Sequence, residues 1–135
     1  MCPFIAQASL MYLGEVLFGN SYYTCKFTHD TDLGTATTQN VTSGAATVYS
    51  VFVDNTANSG ASFLKMYDTL PDGGIVPAST EPDYLFTIDA AARRQFLFPS
   101  GLPVTAGLSL RCVADPQTNN VADPGSNVIV TVLFK

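Results

Sequence analysis

The alternation of hydrophobic and polar residues is clearest between residues 47 and 68. Two runs rich in β-branched and aromatic residues, 48–53 and 62–67, flank a loop of small polar residues at 55–60. This pattern predicts a β-hairpin with a medium-length loop. Successive side chains of a strand point to opposite faces, and neither face of the hairpin is purely polar, so both faces are expected to be covered. The first run places Val48, Ser50 and Phe52 on one face and Tyr49, Val51 and Val53 on the other.

A period of two recurs in further short runs separated by turn-forming residues. The remaining predicted strands cover 22–28, 37–41, 84–88, 95–98, 108–114 and 127–134, and residues 15–18 fit a strand while 8–13 fit a short helix. Residues 29–46 predict a long polar loop around the strand at 37–41, and 99–103 predict a turn. The pattern is typical of an antiparallel β-sandwich of about eight strands, jelly-roll or immunoglobulin-like in topology. We expect one sandwich domain at 21–135, preceded by an N-terminal arm or docking segment at 1–20.

Two of the predicted strands differ in how much of their surface they would bury. Leu108, Leu110 and Cys112 are expected to face inward, whereas Ser109 and Arg111 are expected to face outward. Residues 127–134 are apolar on nearly both faces. Such a strand belongs in the middle of a sheet or in a subunit interface, because an exposed edge of this kind promotes aggregation.

The N-terminal residues are apolar, but they do not form a typical signal peptide. No Lys or Arg precedes Lys26, and Gln7 and Glu15 interrupt the apolar run. Glu15 also argues against a membrane-spanning helix, which needs about 20 apolar residues. We interpret the segment as part of the folded protein or as an arm that docks on a neighbour.

Charged residues make up only 13% of the chain, against about 25% in typical domains. A subunit that buries much of its exterior against neighbours needs few charges. An exterior of uncharged Thr, Ser, Asn and Gly is the other explanation. The net charge is −5 and the six basic residues are scattered, which argues against nucleic-acid binding.

No residue pattern in the chain predicts catalysis or a cofactor. His29 is the single histidine and lies in a polar stretch, so we expect it to be solvated. The acidic residues of the predicted loops lack the spacing of calcium-binding loops. The three cysteines are expected to be buried free thiols, and a disulfide bond between Cys25 and Cys112 is the alternative. The aromatic residues are expected in the core, although exposed Tyr22, Tyr49 and Tyr67 would provide a carbohydrate-binding face.

Several stretches resemble small virion proteins of tailed bacteriophages. They are the hairpin at 49–68 (with the run Asp-Asn-Thr and the ending Lys-Met-Tyr-Asp), Phe-Pro-Ser-Gly-Leu at 98–102, the strand starting Gly-Leu-Ser-Leu at 107 and the final Val-Ile-Val-Thr-Val-Leu run. The resemblance covers about residues 47–135, and residues 1–46 depart from it.

The resemblance implies a β-sandwich component of a virion, made in the cytoplasm of the bacterial host. We expect a capsid decoration or cement protein, without enzymatic activity or cofactor, that contacts the major capsid protein or other virion proteins and forms a homotrimer. The alternative is a tail, neck, baseplate or fibre component with a carbohydrate-binding face. No contact with nucleic acid or membrane is expected. The residues predicted to form contacts are the apolar ones of the N-terminal segment and of the last strand: Phe4, Ile5, Leu10, Leu13, Leu17, Phe18, Val128, Val130, Val132 and Phe134.

Overall fold

The computed structural model describes residues 26–33, 39–70, 79–119 and 121–135, and within these the chain is all-β. The predictions for the arm, for the strand or helix before Gly19 and for Cys25 lie outside the described residues. The strands, numbered in chain order, are β1 (Lys26–Leu33), β2 (Gln39–Thr42), β3 (Ala46–Asp54), β4 (Ser62–Asp68), β5 (Tyr84–Ile88), β6 (Arg93–Val104), β7 (Leu108–Val113) and β8 (Val128–Phe134).

The strands form two four-stranded antiparallel sheets. Sheet I has the order β1-β8-β3-β6, and sheet II has the order β2-β7-β4-β5. The first strand pairs with the last, with Lys26 opposite Phe134, and β2 pairs with β7. Strand β3 lies between β6 and β8, and β4 lies between β5 and β7. The chain therefore brings its most distant strands together in the same sheets.

One hydrophobic core lies between the two sheets, which gives a sandwich-like arrangement. Aromatic rings extend it along one side, where Phe86 of β5 contacts Phe96 and Phe98 of β6 at centroid distances of 4.6 and 5.9 Å. Burying an aliphatic side chain in such a core stabilises a fold by about 1.5–3 kcal/mol. Both sheets contribute to the core cluster, which contains Val48, Val51, Val53, Leu64, Met66, Ile88, Val104, Leu108, Leu110, Cys112, Val128, Val130, Val132 and Phe134.

The last strand lies in the middle of sheet I, between β1 and β3. Its apolar sequence predicted either the middle of a sheet or a subunit interface, and the first of these is its location here. Val128, Val130, Val132 and Phe134 are all buried in the core. The apolar character of these four side chains is therefore accounted for by packing within one chain.

The pairing of β3 with β6 contains a large irregularity that the alternation of residues did not predict. Ser50 is opposite Leu97, whereas Val48 is opposite Leu102, so four residues of β6 face a single residue of β3. The predicted turn at 99–103 is therefore wrong, because β6 continues through it to Val104. The register shift also moves Val48 to the core, away from the face of Ser50 and Phe52 where its spacing had placed it.

Residues 29–33 form the second half of β1 instead of a polar loop. Their backbone pairs with β8, with His29 opposite Thr131 and Leu33 opposite Val128. An edge strand can be polar because pairing with the adjacent strand satisfies its backbone groups, whatever its side chains are. Composition alone therefore misassigned this segment.

Candidate interaction surface

The structure describes four of the ten residues that were predicted to form contacts. The six from Phe4 to Phe18 lie outside the described residues. The four from β8 lie in the core of the chain itself and present no surface to a partner. Contacts made by the described part of the chain therefore have to involve other side chains, on the outer faces of the two sheets or on the loops.

The outer face of sheet II is largely covered. Strand β4 presents Lys65 and Tyr67 on this face, opposite Arg111 and Ser109 of β7, and all four side chains are buried. The prediction that Ser109 and Arg111 face away from Leu110 is confirmed, but the expectation that they face solvent is wrong. Leu85 of the edge strand β5 is an exposed apolar residue on this side, with 43% of its surface accessible.

Two buried cations bind the loop that covers this face. Lys65 Nζ donates to the carbonyl oxygen of Gln117 at 2.6 Å, and Arg111 Nη2 donates to that of Val121 at 3.0 Å. Burial lowers the pKa of Lys65, and the adjacent Arg111 lowers it further, while Asp115 opposes the shift. Arg111 Nε is buried and makes no hydrogen bond with the described residues. Both cations thus hold the loop between β7 and β8 in place.

The outer face of sheet I is different, because its centre carries no charged side chain. It consists of Ser50 and Phe52 from β3, Gln95 and Leu97 from β6, and Ile129, Thr131 and Leu133 from β8. We call this surface the uncharged face. Leu97 is 55% exposed, the highest value among the exposed large apolar residues of the described chain.

Hydrogen bonds fix the polar residues of the uncharged face. Gln95 Nε2 donates to Ser50 Oγ at 3.4 Å, and His29 Nδ1 lies 2.7 Å from Thr131 Oγ1 at the β1 edge. The exposed His29 is therefore part of this edge. On the same face, Phe52 and Ile129 are half-buried. A mixed apolar and uncharged polar centre of this kind is typical of protein interfaces.

An ion pair lies at one end of the uncharged face. Arg93 Nε lies 2.7 Å from Asp54 Oδ2, and Asp54 is opposite Ile129 in the sheet. The hydroxyl and backbone amide of Thr56 also donate to Asp54. The hydrogen bond from the Thr56 side chain, followed by that from Arg93, lowers the pKa of Asp54 to about 2. The charge at this end is thus held in a fixed geometry.

A buried polar network organises the loops beyond this end. Asn55 Nδ2 donates to the carbonyl oxygens of Gly60 and Asp89, and Asn55 Oδ1 accepts from Asn58 and Ser62. Asn58 in turn bonds the backbone of Ser126, and a shallow groove of about 420 Å³ runs beside it. The groove is lined by small residues (57–62, 114 and 124–126). The network ties three loops together, and its members satisfy one another.

At the opposite end, the carboxylate of Asp68 orders the turn between β6 and β7. It accepts from the backbone amides of Thr105, Ala106 and Gly107 and from the Thr105 hydroxyl. Burial acts to raise the pKa of Asp68, but these donors together outweigh it and lower the pKa. The role visible here is structural.

Cys112 is buried between the sheets, and burial raises the pKa of its thiol to about 12. The described residues hold no group of three or more His, Cys, Asp or Glu that could bind a metal ion. Nor does this part of the chain contain a helix with the length and apolarity needed to cross a membrane.

The two described tyrosines of the expected sugar platform do not form a common exposed surface. Tyr67 is buried, with 4% of its surface accessible, and burial raises the pKa of its hydroxyl. Tyr49 is half-buried beside Gly101, and Tyr22 lies outside the described residues. No described tyrosine cluster therefore favours a carbohydrate-binding face.

Sequence reasoning missed Leu97 and Ile129 as surface residues because both sit in strands with apolar neighbours. The exposure of Leu97 and the half-buried position of Ile129 follow from strand register, which alternation alone does not determine.

The chain matches no protein-family model and no curated protein.

Proposed function

We propose that this chain is a structural protein of a bacteriophage virion, of the capsid decoration or cement type, and that its two sheets form a jelly roll. The observation that carries the proposal is the nested pairing of the strands. Strand β1 pairs with β8, β2 with β7, β3 with β6 and β4 with β5. The chain thus behaves as one long hairpin whose four strand pairs alternate between two sheets.

This nesting is the pattern expected of an eight-stranded jelly roll, a fold used by viral capsid proteins as well as by lectins and cupins. The resemblance to small phage virion proteins favours the first of these uses. An immunoglobulin-like sandwich has a different strand order, in which the second strand lies between the first and the fifth in one sheet. Here β2 and β5 are the two edges of sheet II.

The surface of the described chain suits assembly with other proteins. The uncharged face offers the exposed Leu97 and the half-buried Phe52 and Ile129, with no charge among them. Burying apolar surface stabilises a contact by about 25 cal/mol per Å². A cement protein gains further from many simultaneous contacts on one shell, because multivalent attachment raises the overall affinity without new kinds of contact.

The β6 edge of sheet I is poorly suited to strand addition. Pro99 and Pro103 lie in this strand, and proline removes a backbone donor from a sheet edge. Association is therefore expected through a sheet face, not by extension of β6 into a neighbour.

Two measurements test the proposal. Sedimentation equilibrium of the purified chain over about 1–50 μM is expected to give a trimer, three times the chain mass of 14.4 kDa. Electron microscopy and mass spectrometry of phage particles made from the encoding genome are expected to find the chain on the head. A monomer at every concentration would contradict self-assembly, and particles without the chain would contradict a virion role. Chains found on the tail, neck or baseplate would favour the alternative location.

A further inference from the structure

The uncharged face begins at the point where the N-terminal segment joins the sandwich. Lys26 is the first residue of β1, and β1 forms one edge of sheet I. Lys26 pairs with Phe134 of β8, the strand that contributes Ile129, Thr131 and Leu133 to the face. Residues 1–25 therefore enter sheet I directly at the border of the uncharged face.

The composition of residues 1–25 matches that of the face. The segment contains no Lys or Arg, and Glu15 is its single charged side chain. Apolar side chains recur along it, among them Ile5, Leu10, Leu13 and Leu17. A segment of this composition gains free energy by covering apolar surface, at about 25 cal/mol per Å². The uncharged face offers such surface in the exposed Leu97 and the half-buried Phe52 and Ile129, without a charge that would have to be desolvated.

The segment is also long enough to cover the whole face. Neighbouring strands lie about 4.8 Å apart, so β6 is about 15 Å from β1 across sheet I. A chain of 25 residues spans up to about 80 Å when extended. A tethered segment has an effective concentration of order mM toward its own sheet, well above that of other copies in a dilute solution. Gly19, Asn20 and Ser21 form a turn signal at which the chain can reverse direction.

We propose that residues 1–25 dock on the uncharged face of their own chain and contact the exposed Leu97 on the edge strand β6. The inference concerns the single chain in dilute solution and does not depend on a virion role, in which a neighbouring protein would replace the segment on this face. A second copy supplying the segment is the competing arrangement, and the experiment below separates the two.

Photo-crosslinking in the full-length chain tests the contact. Benzoylphenylalanine replaces Leu97 in one variant and Leu85, the exposed leucine on the opposite sheet, in the control variant. Both proteins are checked for native circular dichroism and irradiated at about 1 μM. Because no Lys or Arg precedes Lys26, trypsin releases residues 1–26 as one peptide, which mass spectrometry identifies. We expect crosslinks from position 97 to this peptide and at least tenfold fewer from position 85.

Mixing ¹⁴N- and ¹⁵N-labelled chains identifies the donor of the segment. Docking within one chain gives crosslinked peptide pairs of uniform isotope composition. Pairs that combine both isotopes would show that a second copy supplies the segment and would overturn the proposal. Crosslinks to other peptides only, or equal yields from positions 97 and 85, would overturn it as well.

A second pair of variants tests the same contact without a photoreactive group. Leu97→Asp places a charge in the face, whereas Leu85→Asp is the matched control. Chymotrypsin can cut the segment at its Phe and Tyr residues, and we expect Leu97→Asp to accelerate these cuts about tenfold, since docking of a leucine side chain is lost. Unchanged cleavage in a folded Leu97→Asp protein, or equal acceleration in both variants, would contradict docking on this face.

Discussion

Gly101 provides the sharpest test of the irregularity that shapes the uncharged face. Its φ angle is +80°, in the region that residues with side chains rarely adopt. A Cβ atom at this position would lie 2.2 Å from Thr47 Cγ2 and 3.4 Å from Tyr49 Cε1. The backbone of β6 thus passes so close to the Thr47 side chain of β3 that a Cβ atom would overlap its methyl group.

The cost of Gly101→Ala has two separable parts. The positive φ angle costs alanine about 1 kcal/mol. The overlap with Thr47 forces a shift of the stiff threonine side chain, and overpacking of this kind costs about 1–3 kcal/mol. We therefore expect Gly101→Ala to lower the free energy of unfolding by about 2–4 kcal/mol.

Replacing Thr47 by serine removes the clashing methyl group and leaves the backbone angle unchanged. In the Thr47→Ser background, Gly101→Ala is expected to cost only about 1 kcal/mol, because the next contacts lie at 3.4 Å or beyond. The difference between the two backgrounds is the coupling energy of the double-mutant cycle. It isolates the steric part of the cost.

Urea unfolding at 25 °C measures all four proteins of the cycle, with constant m-values as a check on two-state behaviour. Gly60→Ala serves as the control, since a Cβ atom at that position would meet no other atom within 4 Å, and its effect should stay within about 0.5 kcal/mol. A cost of Gly101→Ala below about 0.5 kcal/mol, or the same cost in both backgrounds, would refute the close approach of β6 to Thr47.

Three further predictions concern the two ends of the sandwich. Asn55→Ala should lower the free energy of unfolding by about 3 kcal/mol in urea titrations, because it leaves buried partners such as Ser62 unsatisfied; a loss under about 1 kcal/mol would contradict the network. Asp68→Ala should cost about 2 kcal/mol, since the Thr105 turn loses its acceptor, and hydrogen exchange there should accelerate. The pKa of Asp54 is lower in the folded chain, so its ionised form contributes stability above about pH 4 that is lost as the pH falls toward 2. In Asp54→Asn, the urea midpoint of unfolding should depend less on pH over that interval. A pH dependence equal to that of the unmodified chain would argue against the lowered pKa.

Much of the core could be predicted from the sequence, because a period of two identifies the buried face of a regular strand. Leu108, Leu110 and Cys112 lie in the core as their spacing indicated. The two strands predicted at 47–68 are also present, as β3 and β4 on either side of the loop. They belong to different sheets, however, so they do not pair with each other as a hairpin would.

The irregular pairing of β3 with β6 could not be predicted in the same way. Extra residues in one strand change which side chains share a face, and the sequence signals them only through Pro99 and Gly101. Those residues are equally typical of a turn, which is how their pattern was interpreted. The choice depends on pairing with a strand about 50 residues away, which local patterns do not contain.

The burial of Lys65 and Arg111 escaped prediction for a related reason. Long cations at alternating positions of a strand normally mark a solvated face. Here the loop between β7 and β8 folds over them and offers its carbonyl oxygens. The covering segment is polar and irregular, so nothing in its sequence indicates that it packs on a sheet.

The positions of the charges bear on the two explanations for their scarcity. Of the six basic residues, Lys65 and Arg111 are buried, and Arg93 and Arg94 form ion pairs with Asp54 and Asp89. An exterior of uncharged small polar residues would have spread this deficit evenly over the surface. The uncharged face on the outside of sheet I instead carries large apolar side chains. An exterior made of small polar residues does not explain these side chains. Apolar surface favours contact with protein, which agrees with the explanation that a neighbouring or tethered protein segment covers this face.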